Sequence, residues 1–139
     1  MNRFWNLWLK VWCVCVLTFG LVLAAAAIPA LDGPARWIYS LMDMGHAEPL
    51  SIAAPGLRFS IALVGAVTFG WGLTIVGMMR AARQGGAAVW RDLTAAFGLW
   101  YMVDSGISIL TGFGLNAVSN TGFLIAYLIP VLRSGVLRG

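Results

Sequence analysis

Four mostly apolar runs, at positions 11–28, 57–79, 93–111 and 115–132, constrain this chain more than any other feature. A helix rising 1.5 Å per residue needs about 20 such residues to cross a hydrocarbon core of about 30 Å. Inside hydrocarbon the backbone must satisfy its own hydrogen bonds, so each run reads as a helix. The composition agrees, because 60% of the 139 residues are hydrophobic and 10% are charged, against about 25% charged in a typical soluble domain. The expectation is an all-α integral membrane protein: a single membrane domain, residues 1–139, built as a four-transmembrane-helix bundle.

The connections differ in kind. Only "GFGLN" separates the third and fourth runs, which predicts a tight antiparallel helical hairpin, whereas "RAARQGGAAVWR" joins the second and third and carries three arginines. Lysine and arginine resist translocation in short loops, so their placement orients the bundle. Arg3, Lys10, Arg80, Arg83, Arg91, Arg133 and Arg138 fall on one side, against Arg36 and Arg58 on the other. That count predicts both termini in the cytoplasm; the location expected is a bacterial inner membrane. Trp5, Trp8, Trp12 and Trp90 then mark the inner interface. The net charge of +4 comes from scattered residues with no dense basic run, so no nucleic-acid partner is expected. "AAAAIPA", which ends the first run, has the look of a signal-peptidase site, but the run is long for a signal and is read as a retained helix.

Residues 30–56 form the outer loop. Pro34 suits a first helical position, and Trp37, Ile38, Leu41 and Met42 recur at helical spacing, which predicts a short interfacial helix. The sole histidine, His46, lies near Asp43 and Glu48, and "DMGHAE" reads as an exposed loop in preference to a metal contact. Cys13 and Cys15, two residues apart on a helix, point away from each other and cannot pair locally.

Asp104 is the residue that needs explaining. It sits in the third run within "WYMVDSGIS", and a carboxylate at mid-span costs about 2.5–3.5 kcal/mol on insertion scales. Asp104, Ser108 and Gly112 recur at i, i+4, i+8, and Asn116 and Asn120 at i, i+4 on the next helix, so two small, polar stripes can hydrogen-bond across the hairpin. Arg58, at the head of the second run, is placed to supply a counter-charge to Asp104 through Asn120. The polar intramembrane cluster is therefore expected to hold Asp104, Asn116, Asn120, Arg58 and Ser108. It reads either as structural glue or as a proton, cation or ligand site. Gly65, Gly70, Gly72 and Gly112 are expected to mediate close helix packing, the alternative in the second run being space for a flat cofactor or carotenoid-like ligand. Pro130 should kink or end the fourth helix.

No Ser/His/Asp or Cys/His set, phosphate loop or paired-cysteine motif is present in the sequence, so no catalytic residue, metal site or cofactor is assigned and the chain is not expected to be an enzyme. Through "GAVTFGWG", "WYMVDSGIS", "GFGLNAVSN" and "LIPVL", the chain from about 57 to 132 resembles a group of small, uncharacterised bacterial four-helix integral membrane proteins. The resemblance implies that Asp104, Asn116 and Asn120 are features of that group, and it implies no activity. Function is expected in one of two classes. The first is a non-catalytic structural or accessory subunit of a larger membrane assembly, such as a respiratory or photosynthetic complex, or of a homo-oligomer. The second is a small oligomeric transporter, channel or lipophilic-ligand binder using the polar cluster.

Overall fold

A computed structural model describes residues 1–43 and 51–138 of the chain. His46 and Glu48, the residues of the weak metal reading, lie outside the described residues. Among the described residues there are four α-helices and no strand: α1 (Arg3–Ala25), α2 (Gly33–Met42), α3 (Pro55–Leu110) and α4 (Gly114–Arg133), with a 3-10 turn at Pro29–Leu31. Three of them, α1, α3 and α4, are long and apolar enough to cross a membrane.

α1 starts well before its apolar run, because Asn2 caps it by accepting a bond from the Trp5 backbone N–H at 3.0 Å. The segment 80–91, expected as a loop, is instead helical on both sides of Gly86. Alanines, arginines and glutamine are good helix formers, so the helix breaks only where Gly86 takes φ 73°, ψ −159°, a region open to residues without a Cβ. α3 is thus two arms, 55–85 and 87–110, meeting at a one-residue kink.

Contacts divide the chain into two compact units, Val14–Leu73 and Met1–Cys13 with Thr74–Gly139. In the first, Leu23, Ala26, Ala35, Ile52 and Ile61 form the core, with Tyr39 and Leu57 packed against it. Here α1 and α3 touch backbone to backbone. A Cβ on Gly20 would stand 2.5 Å from the Phe69 nitrogen, and one on Gly65 would collide with the Ala24 nitrogen. Gly72 gives room to Leu17, whose Cδ2 would lie 2.8 Å from an added Cβ. Without hydrophobic pressure between helices in lipid, such close approach is what van der Waals packing requires. Gly70, expected at this seam, is not part of it: an added Cβ there meets no atom within 4 Å among the described residues. It lies two residues from Gly72, on a different face of the helix.

In the second unit the aromatic core is Trp12, Phe97 and Tyr127, with ring centroids 5.2 Å apart for Trp12–Phe97 and 4.4 Å for Phe97–Tyr127. Tyr127 is fully buried, and its hydroxyl finds Thr94 Oγ1 at 3.0 Å. Cys13 and Cys15 are both free, and Cys13 Sγ lies 3.6 Å from Met79 Sδ.

Pro130 neither ends α4 nor leaves it short of hydrogen bonds. A proline has no N–H to give the carbonyl four residues back, which is that of Ala126. Trp8 Nε1–H donates to Ala126 O at 2.8 Å, and Trp12 Nε1–H donates to Phe123 O at 3.0 Å. The helix continues to Arg133, with indoles from α1 on the carbonyls of its C-terminal half.

Candidate functional site

The third and fourth apolar runs are joined as the short linker requires, and the joint sets the site. At the end of α3, Phe113 N–H donates to Ser108 O at 2.8 Å and Gly112 N–H to Ile109 O at 3.2 Å, with Gly112 at φ 86°. This paired 6→1 and 5→2 pattern is the Schellman turn, and it needs a residue that tolerates positive φ. Gly112 therefore serves the turn and not helix packing, which corrects the sequence expectation: the helical i+8 position does not exist, because α3 has stopped at Leu110.

The turn brings the two polar stripes together. Asn116 Nδ2 donates to Asp104 Oδ1 at 2.9 Å, and Asn120 Nδ2 to the same oxygen at 2.7 Å. The other amide hydrogens go to serines, with Asn116 Nδ2 at 2.8 Å from Ser108 Oγ and Asn120 Nδ2 at 3.4 Å from Ser105 Oγ. Ser108 gives its single hydroxyl proton to the Asp104 backbone carbonyl at 2.7 Å, which leaves its 3.5 Å approach to Asp104 Oδ1 as proximity only. Both amide groups must point their nitrogens at the carboxylate, since the opposite orientation would set oxygen against oxygen.

The network uses one carboxylate oxygen. Among the described residues, every side-chain bond to the Asp104 carboxylate falls on Oδ1. An ionised carboxylate offers about four acceptor directions on two oxygens, so Oδ2 retains its capacity. Ser105, Ser108 and Asn120 are buried, whereas Asp104 is half-buried and lines an open groove of about 560 Å³. Leu99, Val103 and Ile107, at i, i+4, i+8 on α3, form its apolar wall together with Trp100, while Asp104, Ser108 and Asn116 supply its polar side. Asp104 lies six residues before the end of α3, or about 9 Å by helical rise.

Arg58 does not join this cluster. Its guanidinium is taken by Asp32, with Nη2 at 2.8 Å from Oδ2, and by the Ala26 carbonyl, with Nη1 at 2.7 Å. Arg36 grips the same carboxylate with two bonds of 2.7 Å, Nε to Oδ1 and Nη2 to Oδ2. The physical reason is local. Ala26 lies one residue beyond the end of α1, where orphan carbonyls gather the negative end of the helix dipole, and a cation there meets both the dipole and a carboxylate. The Arg36 guanidinium first, and Arg58 second, hold the Asp32 carboxyl at about 2, below the usual carboxylate range, against the opposing effect of burial. Arg36 is pushed up in return by the same bonds.

Sequence reasoning passes over Asp32, although "DGPAR" carries its signal, an acid with arginine four residues on. It also passes over Gly20, which opposes Gly65, and over the indole N–H groups that answer Pro130. Among the described residues no group of three His, Cys, Asp or Glu side chains converges to hold a metal ion. No protein-family model matches the chain, and no curated protein or solved structure matches it.

Proposed function

We propose that this protein is a non-catalytic accessory subunit that spans the membrane four times and binds a larger membrane assembly laterally, through the face around Asp104. The observation that carries this reading is the division of labour within one carboxylate. Oδ1 is locked into the α3–α4 seam by Asn116 and Asn120, and the rest of the group borders an apolar groove on an exposed helical face. At the helix centre a carboxylate costs about 2.5–3.5 kcal/mol toward bare lipid; six residues from the end of α3 the cost is smaller, and a partner's polar group in the groove would offset it.

The four-span count is supported by the length of α3. A straight helix of its 56 residues would extend about 84 Å, about twice the 40–45 Å of a bilayer with headgroups, and the Gly86 kink divides it into two pieces of spanning length. The distribution of arginine and lysine supports cytoplasmic termini and, with them, a kink on the cytoplasmic side; an inner-membrane location is part of the same reading. α2, with Trp37 and Leu41 exposed, fits an interfacial helix. Kinship with the group of small bacterial four-helix membrane proteins is part of the same reading.

The second reading, a small oligomeric transporter, channel or lipophilic-ligand binder, draws on the groove's size, which lies in the range of ligand sites. The test is the mass of the native species in mild detergent, with every co-migrating protein identified. Fixed stoichiometry with a larger complex supports the accessory subunit. A homo-oligomer alone, with a flux abolished by Asp104→Asn, replaces it with the second reading.

A further inference from the structure

We infer that the occupant of the Asp104 groove is a transmembrane helix of a different protein, presenting a lysine or arginine at the level of Asp104. The inference rests on the accessory-subunit reading and adds the partner's chemistry. Three observations carry it. The groove has the form a helix fills, since its apolar wall is a single i, i+4, i+8 stripe of Leu99, Val103 and Ile107, running about 12 Å along α3. Its polar side carries an acid, with the side-chain bonds among the described residues all on Asp104 Oδ1 and Oδ2 open to a charge-assisted bond from a cation.

The third observation excludes a second copy of this chain. The apolar stretches 11–28, 59–79, 93–111 and 115–132 contain no lysine or arginine. Arg58, next to one of them, is already held by Asp32 and Ala26. A second copy would bring apolar side chains, hydroxyls, amides or its own Asp104 to the groove, and none of these is a cation. A foreign helix with one basic residue gains as much as Asp104 does, because each charge relieves the other of an unpaired position in hydrocarbon.

The test uses the whole protein reconstituted in phosphatidylcholine vesicles with two dye-labelled leucine/alanine helices of spanning length. One carries lysine six residues from an end of its apolar core and the other carries leucine there. Energy transfer to the labelled protein measures association. The lysine helix should bind about three- to tenfold more tightly than the leucine helix, the range intramembrane polar contacts provide. Asp104→Asn, which keeps an acceptor for Asn116 and Asn120, should erase that preference. Val103→Trp, which fills the groove from an exposed position without touching the hydrogen bonds, should weaken both helices. Equal affinity for the two helices, or a preference that survives Asp104→Asn, overturns the inference. So does competition by dodecylamine at Asp104 with no binding of the lysine helix, which assigns the groove to a free amphiphilic amine. The accessory-subunit reading fails separately, if the native species contains this chain alone.

Discussion

Asp32 and Asp104 are the same side chain solved in opposite ways. Asp32 is nearly inaccessible and takes both guanidiniums, three bonds of 2.7–2.8 Å that engage both of its oxygens. Asp104 is half-buried and takes neutral amides on one oxygen only. The first is charge against charge, and it ties α2, the end of α1 and the start of α3 into one corner. The second is neutral amide against carboxyl, and it fixes helix register while leaving chemistry at the surface. A buried acid whose partners are all charged and all internal belongs to the fold; one whose second oxygen meets an open groove is free for something else.

That contrast can be broken most directly by removing the ion pairs. Asp32→Asn, or Arg58→Ala, should produce the largest loss in thermal or dodecyl-sulfate unfolding midpoint, since the first leaves two guanidiniums facing each other and the second strips the Ala26 carbonyl of its donor. Asp104→Asn should move the midpoint far less. Comparable losses for Asp32→Asn and Asp104→Asn would end the comparison.

Acid should reproduce the first effect reversibly. The Asp32 carboxyl is held at about 2 by Arg36 and then Arg58, so it is depressed relative to the unfolded chain. The stability linked to a depressed carboxyl is present above its unfolded value, near about 4, and is lost as pH falls from there toward about 2. Tryptophan emission followed between about pH 6 and 2 should report a transition in that window, absent once Asp32 is replaced by asparagine.

A smaller effect is expected on the other side. Asn120→Leu removes the shorter of the two amide bonds to Asp104 and should cost about 1 kcal/mol, within the span measured for polar contacts between membrane helices. A double-mutant cycle with Asp104→Ala, which removes the acceptor, isolates the coupling. The smallest effect tests whether neutral donors matter elsewhere. Trp8→Phe should cost about 0.6 kcal/mol by exposing the Ala126 carbonyl. That cost should vanish in a Pro130→Ala background, where the restored backbone N–H at position 130 bonds the Ala126 carbonyl in place of the indole.

Helix content and the α3–α4 pairing are legible in the sequence because they follow from the length of the apolar runs and from the three residues that separate the last two. Asp104, Ser108, Asn116 and Asn120 meet because one turn and two i, i+4 stripes determine their register. Arg58 is misassigned by the sequence for an instructive reason. Depth in the bilayer is the one guide to pairing between residues distant in the chain, and the competing partner, Asp32, lies just before α2, its pairing with Arg36 marked by the i, i+4 spacing but its pairing with Arg58, 26 residues on, marked by nothing. The segment 80–91 reads as a loop when charge is given more weight than helix propensity. Gly65 and Gly70 look alike in sequence, and only the position of Gly20 on the opposing helix distinguishes them. The Trp8–Ala126 bond, spanning 118 residues, carries no local signal at all.

That bond has a bearing on how the protein is made. Trp8 leaves the ribosome ahead of Pro130, which creates the orphan carbonyl, by about 6–24 s at about 5–20 residues per second. Of the two partners, the donor is therefore first in the membrane, and the defect arrives to a remedy already in place. A shortened chain without Trp8 would deliver α4 into the bilayer with that carbonyl uncovered, so a loss early in the message is felt in a helix made late.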